Sequence, residues 1–223
     1  MGTSTEPELT HTASFSVSVL MAWRSADPAR IRLWEYCKPL WESLSEVELC
    51  VADDGNTDGP FARAAAWNRA AAMASGDIFV VWGADILPDL PAVLDAARVA
   101  ALHGWARVFS AILSFSDRQT DDILAGNNPD YLGARPRPYE VPGVLAVRRD
   151  VWDSVGGMDE RFGAGYGYED CALRNLLAHR YGAHQARGRH AARILYHPHV
   201  EQPAPTNHTL FWSEYAKLAP GLN

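Results

Sequence analysis

The chain predicts an α/β fold, a single domain built on one mixed, mostly parallel central sheet flanked by helices. Three observations predict it. Short β-branched apolar runs alternate with stretches of helical periodicity through the first half of the chain, as in a parallel sheet with crossover helices. The third such run, residues 78–82, is apolar throughout, as a strand covered on both faces is. Arg24, Asp53, Asp54 and Asp85 each fall just past a predicted strand end, where open α/β sheets collect their ligands.

The elements follow in order. Residues 15–20 read as the first strand, and a turn with Arg24, Asp27 and Pro28 leads to a helix marked by Ile31, Leu33, Trp34, Leu40, Trp41 and Leu44. Residues 47–52 form the second strand, ending at Asp53, Asp54 and Gly55. An alanine-rich helix over 61–75 is closed by Gly76 as a C-cap. After the strand 78–82, a helix over 91–102 leads to a strand over 106–113. Residues 117–142 are polar and turn-rich and read as a long loop of functional or mobile character. A strand (144–147), a short helix (150–155), a glycine-rich turn (163–168), a helix (169–180), a strand (193–196) and a proline-rich tail complete the chain. Residues 1–13 form a loose polar tail. The remainder, 14–223, divides into a nucleotide-binding half (14–115) and an acceptor-binding, catalytic half (116–223).

Composition narrows the function. At 223 residues there is ample length for one large core. A formal net charge of -7 argues against an electrostatic nucleic-acid binder, though a local arginine cluster can still hold a phosphate. Cys37, Cys50 and Cys171 are scattered, with neither a disulfide framework nor a zinc spacing, which points to a reducing compartment. No apolar run approaches the roughly 18 residues of a membrane span, and the N-terminus lacks a signal-peptide core. The expectation is a soluble cytoplasmic protein.

Three segments carry chemistry. Asp85 follows the buried-type strand and emerges where the sheet stops, placed to coordinate a divalent ion bridging a pyrophosphate. An aspartate there also caps turns and helices. The turn Gly163-Ala-Gly-Tyr-Gly-Tyr-Glu-Asp170 delivers two acids into the start of a helix. The macrodipole favours acids in that first turn. Gly163, Gly165 and Gly167 add close backbone approach or left-handed dihedrals, so the turn aims Glu169 or Asp170, either of which could serve as a general base. His197 and His199 end the last strand on one side of the chain; an imidazole beside a carboxylate suits Mn²⁺ better than Mg²⁺, and the pattern does not choose between the two rings. Arg24 and Arg63 are candidate phosphate partners, and Tyr166 and Tyr168, set among glycines, are placed to stack on a sugar ring.

With those residues in place, the chain resembles the GT-A (Rossmann-like) glycosyltransferases over about residues 15–211, chiefly the inverting family-2 enzymes and the C-terminal region of β-1,4-galactosyltransferases. Phe61-Ala-Arg-Ala-Ala-Ala-Trp-Asn68 is similar to the family's Phe-x-Arg-Ala-x-x-x-Asn segment at the UDP site. Ala84 and Asp85 resemble the end of its Asp-x-Asp element, and Gly143 the turn beside the donor sugar. The block from Val155 to Asp170 is similar to its Gly-Phe/Met-Asp-Glu…Trp-Gly-x-Glu-Asp run, the most specific match.

The resemblance implies a UDP-sugar donor, Asp85 and His197 (rather than His199) as metal ligands, and Asp53 and Asp54 at the uracil. Arg24 matches the arginine after strand one, and Phe61 and Arg63 line the donor site. Tyr166 takes the place of a sugar-contacting tryptophan, Glu169 binds acceptor hydroxyls, and Asp170 is the catalytic base. Two positions depart from the pattern: Gly83 replaces the first acid of Asp-x-Asp, and Cys171 the third of Glu-Asp-Asp. The expected activity is metal-dependent, inverting transfer of a hexose to an acceptor hydroxyl on a glycan, protein, lipid or modified nucleic acid. Its cofactor is Mn²⁺ or Mg²⁺. A retaining enzyme of the same fold would use the same parts with the opposite stereochemistry, and a non-catalytic carbohydrate-binding module would use the fold alone. A nucleotidylyltransferase is disfavoured because residues 21–27 hold no glycine.

Overall fold

The computed structural model describes residues 15–127, 137–138, 143–163, 165, 167–198 and 204–219. The tail 1–13, Tyr166 and His199 lie outside the described residues. Strands β1 (Val17–Ala22), β2 (Glu48–Ala52), β3 (Ile78–Trp82), β4 (Trp105–Arg107) and β7 (Leu145–Arg148) form a five-stranded sheet in the order β2-β1-β3-β7-β4. Parallel pairing joins β1 to β2 and to β3, whereas β7 runs antiparallel to β3 and β4, so every strand but β7 points the same way. A smaller sheet orders β6 (Arg137–Pro138), β5 (Ala111–Ser114) and β8 (Ala191–Ile194).

Strand alternation divides the core in two. Val17, Val19, Met21, Ile78, Val80 and Trp82 face a layer with α1 (Pro28–Glu42) and α3 (Leu90–His103). Leu20, Phe79, Val81, Leu145 and Val147 face the opposite layer with α2 (Arg63–Met73), α5 (Arg149–Val155) and α6 (Glu169–Tyr181). All five residues of β3 are buried, as its apolar run requires. Capping sets the helix starts: Asp27 accepts from the Ala29 N–H at 2.9 Å with Pro28 as the first helical residue, and Asp89 accepts from Ala92 at 3.1 Å.

Several local expectations are corrected. The strand expected over 106–113 is two strands in different sheets; Val108 and Phe109, both buried, carry the chain across. Period-2 patterning does not report a change of sheet. Within the expected loop 117–142 lies α4 (Asp117–Leu124), started by a capping box between Ser116 and Gln119. Gly76 is not a C-cap, because α2 ends at Ala74 in extended conformation. Its glycine is needed elsewhere, since a Cβ there would stand 2.6 Å from Ser18 Oγ. The strand expected over 193–196 ends at Ile194, and the tail holds α7 (Pro205–Leu210) followed by a π-helical turn, Phe211–Tyr215. Among the described residues no helix is long and apolar enough to cross a membrane.

Candidate functional site

The carboxyl end of β3 is tied to the segment after β8. Leu87 N–H donates to Arg193 O at 2.9 Å and Leu195 N–H to Asp85 O at 2.8 Å, with an antiparallel bridge between Ile86 and Ile194. Tyr196 N–H donates to the buried Thr120 Oγ1 at 2.8 Å, so α4 holds the same segment from its other side. These bonds bring His197 to Asp85, with Nε2 3.5 Å from Oδ2. Trp23, Arg30, Leu33 and Ala84 surround the same pair.

Burial works against the charged form of Asp85, but the hydrogen bond and charge of His197 outweigh it and hold the carboxyl below its usual range. The bond to Asp85 raises His197, and burial opposes that. His197 Nδ1 also lies 3.3 Å from Pro198 O. When Nδ1 donates there, Nε2 turns a lone pair toward a carboxylate, and two facing acceptors need a proton or a cation between them. The donor set therefore fits a divalent ion with nitrogen and oxygen ligands. Among the described residues no group of three or more His, Cys, Asp or Glu could hold a metal.

At the ends of β1 and β2, Asp54 is buried and used internally. It accepts from Ala62 N–H at 3.0 Å and Asn56 Nδ2 at 3.2 Å, and Arg24 Nε lies 3.4 Å away. Burial opposes its ionisation, yet these donors win and lower its pKa. Arg24 in turn donates to the carbonyls of Asn56 and Gly59 at 2.9 and 3.0 Å and lies over the Phe61 ring at 5.4 Å. Asp53 is exposed, held by a turn in which Gly55 N–H donates to it at 2.9 Å and by a long ion pair with Arg69 at 3.9 Å. Of the acid pair, Asp53 alone projects outward.

The glycine turn is wound left-handed. Gly165 and Gly167 have φ of 120° and 113°, and Tyr168 holds φ 74° at the N-cap of α6. A non-glycine residue there costs about 1–3 kcal/mol unless packing fixes it, and Tyr168 is stacked on Phe211 at 5.0 Å. Glu169 is then carried inward, 2% exposed, in an ion pair with Arg63. Burial raises its pKa, Arg63 opposes, and neighbouring Asp170 adds to the rise. Asp170 stays half-exposed; its Oδ1 accepts from Cys171 N–H at 2.7 Å, and its Oδ2 lies 2.9 Å from where a Cβ of Gly143 would be.

The β3–β7 register connects the two clusters. The last pair is Val81 with Leu145, so two residues further along each strand stand Gly83 and Gly143. Gly83 adjoins Asp85, whose Oδ1 would be 2.9 Å from a Cβ there, and Gly143 adjoins Asp170. A side chain at Gly83 would crowd Asp85 and Ile86, and one at Gly143 would crowd half-buried Asp170.

Asn68 was legible as a motif residue but not as a clamp. Its Nδ2 donates to Met158 O at 2.9 Å and Glu160 Oε1 at 2.8 Å, while Met158 N–H donates to its Oδ1 at 2.8 Å. Arg30 was missed altogether. Its charge acts on both Asp85 and His197. The signal was present: buried Leu33 and Trp34 lie three and four residues on, which places Arg30 on the inward face of α1. A cavity of about 360 Å³, lined by Asn68, Asp159, Arg161 and Tyr215 among others, includes none of the residues at the β3 end.

No protein-family model matches the chain, and no curated protein matches it in sequence. Solved structures do match. Drosophila β-1,4-galactosyltransferase 7, in a complex with manganese, UDP-Gal and xylobiose, superposes with a TM-score of 0.57 at 16% identity over 87% of this chain and 79% of its own. Mycobacterium tuberculosis glucosyl-3-phosphoglycerate synthase, with Mn²⁺, UDP-glucose and phosphoglyceric acid, gives 0.50 at 20% over 93% and 82%. A Pyrobaculum calidifontis mannosyltransferase with GDP-Man and Mn²⁺ gives 0.50 at 14% over 85% and 59%. The fold is that of the GT-A glycosyltransferases.

Proposed function

We propose that the protein is a metal-dependent glycosyltransferase that moves a hexose from a UDP-sugar to an acceptor hydroxyl with inversion at the anomeric carbon. One observation carries the reading: the end of β3 bears the Asp85–His197 pair at 3.5 Å, and Gly143, just before the strand that pairs with β3, lies against half-buried Asp170. The three solved structures hold a nucleotide-sugar and manganese on the same fold, which supports the choice of donor class and ion.

Asp85 and His197 would hold Mn²⁺, or Mg²⁺, together with the donor's diphosphate; the ion supplies charge neutralisation for the departing nucleotide. Arg30 adds a fixed cation beside the same pair and binds a phosphate oxygen as the glycosidic bond breaks. Exposed Asp53 meets the uracil or ribose, and Asp54 with Arg24 and Phe61 shapes that loop. Asp170 accepts the proton of the acceptor hydroxyl while its oxygen bonds to the anomeric carbon and the C–O bond to UDP breaks. Buried Glu169, ion-paired with Arg63, steadies the turn that aims Asp170. Residues 14–115 bind the donor, and residues 116–223 supply the acceptor side and the base.

A panel of UDP- and GDP-sugars incubated with Mn²⁺, Mg²⁺ or EDTA tests this. Metal-dependent release of UDP from one donor, with an acceptor product of opposite anomeric configuration, is the expected result. Retained configuration would replace inversion with a retaining route, and metal-independent turnover would remove the Asp85–His197 role.

A further inference from the structure

We propose that the acceptor is a carbohydrate whose pyranose ring stacks on Trp212; the assignment rests on the transferase reading and narrows its acceptor to a glycan. A chain of aromatic rings leads outward from the turn that presents the acids. Tyr168, directly before Glu169, stacks on buried Phe211 at 5.0 Å with 20° between planes, and meets His208 edge-on at 5.6 Å. His208 tilts against Trp212 at 6.1 Å, and Phe211 meets Trp212 edge-on at 5.5 Å. The buried end of this strip is fixed in the core, whereas Trp212 is 52% exposed.

The strip is held in place by more than its own packing. Tyr215 Oη donates to Asp159 Oδ2 at 2.6 Å, Asn175 Nδ2 donates to Tyr215 O at 3.2 Å, and Arg161 bonds Glu214 at 2.8 and 3.0 Å. An indole that is kept both rigid and wet is a surface awaiting a flat apolar partner with a polar rim. A pyranose is such a partner: the C–H bonds of one face lie on the ring and the hydroxyls stay at the edge. The π-helical turn Phe211–Tyr215, a form frequent at functional sites, sends Phe211 inward and Trp212 outward on consecutive residues.

Other acceptor classes fit less well. The other large exposed apolar residues among those described, Leu40, Met73, Leu102 and Tyr196, lie on other elements, so no other large exposed apolar side chain extends the strip toward a lipid or a protein helix.

The test is saturation-transfer NMR of the full chain with UDP and Mn²⁺ against cellobiose, lactose and xylobiose, comparing wild type with Trp212→Ala and Trp212→Phe. Wild type should saturate the C–H protons of one ring face of at least one disaccharide. Trp212→Ala should lose that signal at an unchanged melting temperature, and Trp212→Phe should keep part of it. With that disaccharide as acceptor, Trp212→Ala should raise the acceptor KM at least tenfold and leave kcat within about threefold. No saturation of any disaccharide, or equal signals from wild type and Trp212→Ala, would overturn the assignment. Wild-type UDP-sugar hydrolysis is read separately. Its absence alongside disaccharide binding at Trp212 would remove the acceptor role, and with it the transferase reading.

Discussion

The two sides of the site are built differently. On the proposed donor side, Asp53, Asp54 and Asp85 occupy turns that directly follow β2 and β3, and Arg24 follows β1, so strand positions place these four. His197, by contrast, is brought to Asp85 by longer-range bonds. On the proposed acceptor side, Asp170 and the aromatic strip depend on contacts between residues far apart in sequence: Arg63 with Glu169, Asn68 with Met158, and Asp159 with Tyr215. Local turns suffice where a ligand lies across strand ends. Aiming a base at one hydroxyl takes cross-links that fix a loop from several directions.

The largest expected effect lies on the acceptor side. Asp170→Asn keeps the side chain's shape and removes its basicity, so kcat for transfer should fall by about 10²–10⁴ with donor KM little changed. Steady-state kinetics at saturating acceptor reads the split; transfer left intact would place the base elsewhere.

Next is the cross-link itself. Arg63→Met leaves Glu169 buried without its cation, which should cost about 3 kcal/mol, or roughly 6–12 °C in melting temperature for a chain of this size. Glu169 can take up a proton, so the loss should shrink as pH falls. The Arg63→Met, Glu169→Gln double variant should recover part of the stability. A pH-independent loss with no recovery would mean that Arg63 acts only through packing on Trp67.

A smaller effect tests the donor side. Arg30→Ala should raise the donor KM about tenfold, worth about 1.4 kcal/mol, and leave the acceptor KM unchanged. An effect on acceptor alone would break the division between the two sides.

The smallest effect concerns the foot of the aromatic strip. Burial works against ionised Asp159, but bonds from Arg161 and Tyr215 win and lower its pKa. A carboxyl depressed in the folded state stabilises above its unfolded value, near 3.8, and that contribution is lost as pH falls through the lower folded value. Amide protection of residues 211–218, taken relative to the intrinsic exchange rate at each pH, should therefore fall below about pH 4 in wild type. In Asp159→Asn the protection should already be low at neutral pH, with little further change in acid. Equal protection in the two proteins would show that the clamp carries nothing.

Much of the fold was legible for the reason that separates the two sides. The apolar run of β3, the caps Asp27 and Asp89 and the β-branched β1 are local signals, and local signals placed Asp85. The parallel pairing of β5 with β8 was not legible, because it depends on a strand 80 residues away. Helix α4 was lost in a polar stretch although Ser116 and Gln119 carried its capping box. Burial of Glu169 could not be read at all, since its motif looks the same whether the first acid faces a ligand or an arginine on α2. The helical end of the chain was hidden by its prolines, of which Pro205 begins α7 rather than breaking it.

The most direct measurement is Mn²⁺ binding followed by electron paramagnetic resonance, titrated with and without UDP, in wild type and in Asp85→Ala. The account predicts tight Mn²⁺ binding to wild type only when UDP is present, because the protein supplies two ligands and the diphosphate completes the set, and at least a hundredfold weaker binding in Asp85→Ala. Equal Mn²⁺ binding in the two proteins, or none in wild type with UDP, would contradict it.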